Sequence, residues 1–134
     1  MTSVQREWQF GSSHIRFEPP DILWHKSRGA TRLSECIAYM DVYREMGTQA
    51  PYFSVVDMSE AVPFDEECRL YLSETMQAEW LKGVIYIRAR LLHKAIVTSI
   101  GVFHRLVGRA SMDPLFVSTE EEARALIERI RRGL

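Results

Sequence analysis

The stretch that decides the fold runs from Tyr52 to Arg88 and reads YFSVVDMSEAVPFDEECRLYLSETMQAEWLKGVIYIR. It opens with Tyr52-Phe53-Ser54-Val55-Val56-Asp57, a short β-branched run suited to a buried central strand. Helical spacing follows: Asp65 can cap a helix carrying Cys68, Leu72, Met76 and Trp80 on a four-residue ladder, with Gly83 ending it. The run from Gly83 to Arg88 is apolar and strand-like again. Strand, helix and strand in that order predict a parallel pair joined by a right-handed crossover, with helices covering the sheet.

Toward the N-terminus the period is two. Trp8 and Phe10 alternate, Gly11-Ser12-Ser13 turns the chain, and Ile15 and Phe17 alternate in turn. Pro19-Pro20-Asp21 then breaks the pattern before Ile22-Leu23-Trp24-His25. This predicts an antiparallel opening of two or three strands, with Trp8, Phe10, Ile15 and Phe17 on one covered face. A first helix begins after Thr31, a candidate N-cap, carries Leu33, Ile37, Met40 and Tyr43, and stops at Gly47. Toward the C-terminus, a third helix runs from about Leu91 to Val107, and Pro114-Leu115-Phe116-Val117 is a last strand. A fourth helix opens on Thr119 and Glu122 in capping-box spacing and buries Ala123, Leu126, Ile127, Ile130 and Leu134. Glutamates begin it and Arg129, Arg131 and Arg132 end it, which suits the helix dipole.

The fold class is therefore α/β: a mixed sheet with an antiparallel N-terminal part, then alternating α and β, over a single domain spanning 1–134. Apolar residues make up 46% of the chain and charged residues 26%, ordinary values for a globular domain. The net charge of −1 provides no global attraction for nucleic acid or an anionic membrane. Cys36 and Cys68 are too few and too far apart for a disulfide scaffold or a structural zinc site. The first residues carry charges every few positions and no apolar core of a secretory signal, and Ala95 to Phe103 is about half a membrane span. The expectation is a cytoplasmic protein with no transmembrane segment.

The element order resembles the SpoIIAA-like, or STAS, fold of bacterial anti-sigma-factor antagonists, over nearly the whole chain. In residues the resemblance rests on Val55-Val56-Asp57-Met58-Ser59 and Phe64-Asp65-Glu66-Glu67. The family ends a strand in Asp-x-Ser and follows it with Asp-Ser at a helix start; Asp57, Ser59 and Asp65 stand at matching positions. Glu66 stands where the family carries its phosphorylatable serine, and Glu67 and Cys68 where serine and glycine usually follow. The chain looks like a divergent branch, of the kind sometimes grouped with CRAL-TRIO lipid carriers. The resemblance implies four helices on one side of the sheet and a regulatory, protein-binding role. A carboxylate cannot take phosphate from a serine kinase under that family's scheme, so the phosphorylation switch is not expected here. Glu66 places a negative charge where a phosphoserine would sit; the plainer reading is a well-capped helix start, and it is favoured.

Charge is distributed unevenly. From Asp57 to Glu79 there are seven acids and one base (−6), and from Lys82 to Arg109 six bases and no acid (+6). Mutual pairing of neighbouring helices is the simplest account; a bipolar surface that steers a charged partner or aligns two copies is the other. Helix three is apolar nearly all round, so it is buried on several sides, docks a partner, or roofs a lipid-sized cavity. Its histidines, His93 and His104, lie about 16 Å apart along the helix, too far to share a metal. No phosphate-binding glycine loop occurs, and the basic patch lacks stacking aromatics, so nucleotide and nucleic acid are excluded. Asp57 and Asp65 lack an accompanying nucleophile, histidine or oxyanion loop, which argues against an enzyme.

The expected function is a non-enzymatic bacterial regulatory or protein-interaction module without cofactor or metal. Its partner surface would be Asp57, Ser59, Asp65, Glu66 and Glu67 with the adjoining helices, and a homodimer is compatible with it. The alternative is a carrier of a small apolar ligand or lipid in a pocket under helix three, using Ile96, Ile100, Phe103 and Val107.

Overall fold

The computed structural model describes residues 6–133. Its elements are β1 (Arg6–Phe10), β2 (Ser13–Glu18), β3 (Ile22–Gly29), α1 (Leu33–Gln49), β4 (Tyr52–Ala61) and α2 (Glu66–Thr75). A 3-10 turn (Ala78–Trp80), β5 (Leu81–Ile87), α3 (Leu91–Leu106), β6 (Pro114–Val117) and α4 (Glu120–Arg131) complete it. The six strands lie in sequence order in one sheet. The pairs β1–β2 and β2–β3 are antiparallel, and β3–β4, β4–β5 and β5–β6 are parallel. The antiparallel opening and the alternating remainder are thus as the sequence implied. Gly11 turns the first hairpin at φ +58°, at the first of two loop positions, where a hairpin turn demands glycine or strain.

Strands that advance in one direction through right-handed crossovers carry their crossover helices on one face. The main core accordingly joins Ile15, Phe17 and Leu23 of the sheet with Tyr39, Met40 and Tyr43 of α1 and Cys68 and Leu72 of α2, and Ile100 of α3 packs against it. Trp8 and Phe10 pack on the same side. The fourth helix is not a crossover, and no such rule binds it. It folds back over the opposite face, where Ala123 and Ile127 meet Ile22, Trp24, Phe53, Val55 and Ile85 in a second core. This corrects the expectation of four helices on one side: three cover one face and α4 the other. Asp21, buried beneath this layer, holds Lys82 at 2.8 Å and is bonded by Arg131.

Several boundaries differ from the sequence reading, each for a tertiary reason. The first helix runs through Gly47 to Gln49, and the glycine there leaves room for Trp80, which packs where a Cβ would sit. Its buried face is Cys36, Tyr39, Met40, Tyr43 and Met46, which leaves Ile37 exposed. The second helix stops at Thr75, far short of Gly83, because Arg109 reaches across to donate to the carbonyls of Ser73, Glu74 and Met76. The fourth helix is as expected: Thr119 Oγ1 accepts from the Glu122 amide at 3.1 Å, and Glu122 accepts from the Ser118 amide. Leu134 lies outside the described residues.

Candidate functional site

The five residues expected to form a partner surface are divided between the two faces of the sheet. Strand β4 continues to Ala61, so Asp57 and Ser59 belong to a strand and not to a loop. Their side chains lie on the α4 face, against Lys26 of β3, whose Nζ is 3.1 Å from Asp57 Oδ2 and 3.2 Å from Ser59 Oγ. The Ser59 amide donates to Asp57 Oδ1 at 2.9 Å. Burial raises the Asp57 carboxyl, but these hydrogen bonds and the Lys26 charge outweigh it and hold it below its ordinary range. Asp65, by contrast, caps α2 on the other face, its Oδ1 accepting from the Cys68 amide at 2.9 Å. That bond lowers its carboxyl. Glu66 and Glu67 follow it and are exposed.

The acidic and basic blocks do not neutralise each other. Among the described residues no ion pair joins α2 to α3. Asp57 and Glu60 of the acidic block pair with Lys26, and Glu60 also with Arg28. Lys82 of the basic block goes to Asp21, and Arg105 goes to Asp113. Arg88 and Arg90 bond the carbonyls of Ser118 and Ala61. The outer row of α2 is therefore Glu66, Leu70 and Glu74 at four-residue steps, with the Leu70 side chain in solvent. On α3, Leu91, Ala95, Val102 and Leu106 recur at steps of four, seven and four, which hold one face of a helix. Leu91 is 85% exposed and Leu106 81%. Lys94 and Arg105 flank this row on the exposed side.

Beneath α3 a cavity of about 90 Å³ opens between the sheet and the three crossover helices. Its floor is His25 and Ser27 of β3, Ser54, Val56 and Met58 of β4, and Val84 and Tyr86 of β5. Tyr39, Met40 and Tyr43 of α1 close one side, and Val97, Ile100, Gly101 and His104 of α3 form the roof. Of the four residues expected on the apolar face, only Ile100 lines this cavity. Ile96 is buried in packing, Phe103 is half-buried beside His104, and Val107 is 53% exposed. The cavity stripe is Val97, Ile100 and His104, displaced around the helix from the expected one.

Behind the cavity wall His25 Nε2 and Ser54 Oγ are fully buried and make no hydrogen bond of good geometry among the described residues, although the Ser54 hydroxyl lies close enough to the Tyr43 phenol to favour its ionised form. His25 is 4% exposed and Ser54 1%. The other imidazole nitrogen, Nδ1, lies 3.1 Å from the Tyr43 hydroxyl. Burial drives the His25 imidazole down to about 4, with the His14 charge adding to the effect. Burial likewise pushes the Tyr43 phenol up to about 12, so both groups are neutral at neutral pH. A buried donor or acceptor left unpaired costs about 1–3 kcal/mol. Sequence patterns assign neither residue a site role: His25 reads as a solvated or singly hydrogen-bonded strand histidine, and Ser54 as part of a central strand. Their signal was a polar side chain on the helix-facing side of an otherwise apolar strand, in Ile22-Leu23-Trp24-His25 and in Tyr52-Phe53-Ser54-Val55-Val56.

On the opposite face a polar crevice of about 410 Å³ lies at the carboxyl ends of β4 and β5, beside the start of α4. Arg16, Lys26 and Arg88 share it with Asp57, Glu120 and Glu121, so its charges are mixed. Among the described residues no group of three or more His, Cys, Asp or Glu could hold a metal ion, and no helix is long and apolar enough to cross a membrane. Cys36 and Cys68 are free and buried between α1 and α2. No protein-family model matches the chain, and no curated protein matches it. The class that fold and site define is an α/β domain with a six-stranded mixed sheet, three helices on one face and one on the other.

Proposed function

We propose that the protein is a non-enzymatic interaction module of the SpoIIAA-like kind, and that its partner surface is the outer face of α2 and α3. The observation that carries this reading is the row of exposed large apolar side chains on α3, Leu91, Val102 and Leu106, set beside carboxylates on α2 that no base of α3 neutralises. Several large apolar side chains exposed along one helix face favour an association site over a solvated surface. A complementary surface must be apolar and acidic where α3 is apolar and basic. The chain's own α2, with Leu70 between Glu66 and Glu74, has that character. The occupant is therefore a second copy, related by a two-fold axis that lays the α2 of each copy on the α3 of the other. The layout of a bacterial anti-sigma-factor antagonist supports binding over chemistry, and Glu66 in place of serine makes that binding independent of phosphorylation.

Charge-swapped variants test the reading. Glu66→Lys with Glu74→Lys should weaken self-association, and adding Lys94→Glu with Arg105→Glu should restore it. Restoration requires the two helices to meet across copies. If the swapped protein associates no better than the variant with only α2 changed, the surface has been misassigned.

A further inference from the structure

The cavity under α3 supports an inference independent of the α2–α3 surface. We propose that it is a binding site for a small, uncharged apolar molecule of about four to six carbon atoms.

Size and lining set the class of ligand. An apolar cavity of roughly 150 Å³ stays dry and takes benzene. At about 90 Å³ this one takes, in proportion, about four carbons at rest, and it excludes a long acyl chain. Among the described residues no aspartate, glutamate, lysine or arginine lines it. Of its polar atoms, His104 Nε2 lies 2.6 Å from the Ser73 carbonyl, and His25 Nε2 and Ser54 Oγ expose no surface. A charged ligand would lose its hydration here with no counter-charge to replace it, a cost that a hydrocarbon does not meet.

The pattern of α3 shows how the room arises. Val97, Gly101 and His104 follow one another at steps of four and three, the spacing of one helix face, and Val97 and His104 are buried. Gly101 thus stands on the inward stripe without a side chain, although glycine is the poorest helix former after proline. A Cβ built there meets no heavy atom within 4 Å, so no close neighbour demands a glycine; its effect is to leave the cavity roof open.

Methionine makes the walls adaptable. Met40, Met58, Met76 and Met112, four of the chain's six methionines, line this cavity. Met40 and Met58 are buried, whereas Met76 and Met112 are half-buried and carry the lining out toward the surface. The unbranched thioether side chain is polarisable and turns easily about its bonds, so it refits around apolar ligands of somewhat different shape. Turning one of these side chains enlarges the resting cavity to admit a five-membered ring.

The test is an NMR titration of the whole protein, labelled with 13C in its methionine methyls, using cyclopentane, with cyclopentylammonium as the charged comparison. Cyclopentane should give saturable shifts at Met40, Met58, Met76 and Met112. It should leave Met46, which packs in the core without lining the cavity, unmoved. Cyclopentylammonium should give no shift. Gly101→Leu fills the open roof and should weaken cyclopentane at least tenfold. Gly101→Ala, which has nothing to strike and should stay folded, should weaken it at least threefold. The proposal is overturned if cyclopentane gives no saturable shift, if Met46 shifts as far as the other four, if the ammonium binds as well as the hydrocarbon, or if Gly101→Ala binds cyclopentane as the parent does.

Discussion

Replacing His25 with phenylalanine should remove about 2 kcal/mol of the stability the protein loses between pH 7 and pH 5. The imidazole is enclosed by the rings of Tyr39, at 4.8 Å between centroids, and Tyr43, and its folded-state pKa lies near 4 against an ordinary 6.5. A depressed pKa means that the unfolded chain takes up the proton first. The stabilising effect of the neutral imidazole is complete above the unfolded pKa and is lost as pH falls toward the folded one. With those two values the loss from pH 7 to pH 5 is about 2 kcal/mol. At a urea dependence of roughly 1–3 kcal/mol per molar, the unfolding midpoint should fall by about 1 M. His93 is shifted in the same direction by burial, but it is present in both proteins and cancels in the comparison. Phenylalanine keeps an aromatic ring in the cluster and sacrifices only the bond to Tyr43, a loss without pH dependence in this range. Urea unfolding of both proteins at pH 7, 6 and 5 reads the difference directly. Equal falls in the two midpoints would refute the argument, and so would an NMR titration placing the His25 pKa near 6.5.

Two glycines on helices should respond to alanine with opposite signs. Gly101→Ala gains helix propensity with nothing to strike, and should raise stability by about 1 kcal/mol in chemical denaturation. At Gly47 a Cβ would sit 2.4 to 2.7 Å from Trp80 atoms, so Gly47→Ala should cost about 1–3 kcal/mol despite the same propensity gain. A stabilised Gly47→Ala would show that Trp80 packs elsewhere. The thiols of Cys36 and Cys68 should resist a disulfide reagent in the native protein and react on unfolding, since both are buried and burial pushes Cys68 up to about 12. Rapid reaction of both without denaturant would contradict that packing.

The sequence patterns disclosed most of the architecture because each element announces itself locally. Alternation in Trp8–Phe10 and Ile15–Phe17, the apolar run at Tyr52, and the Thr119–Glu122 cap all describe interactions within a few residues. The departures come from contacts between distant segments. No local pattern reveals that Arg109 ends α2 or that Trp80 occupies the side of Gly47. The side chosen by α4 depends on its not being a crossover, a property of the whole sheet. The candidate sites divide in the same way. The opposed charge blocks were legible because charge is a property of composition, and the structure adds that they do not pair with each other. The cavity was legible only as a surplus of apolar residues on α3. The polar pair behind its wall depends on the register of β3 against β4, which places His25 beside Ser54.

Sedimentation equilibrium of the unaltered protein over a hundredfold range of concentration tests the central claim most directly, run beside a Leu106→Asp variant. The account predicts a mass rising toward twice the 15.6 kDa of one chain, weakened by added salt, and a variant that remains at the single-chain mass. A parent protein that stays at the single-chain mass throughout, or a variant that associates as the parent does, would contradict the account.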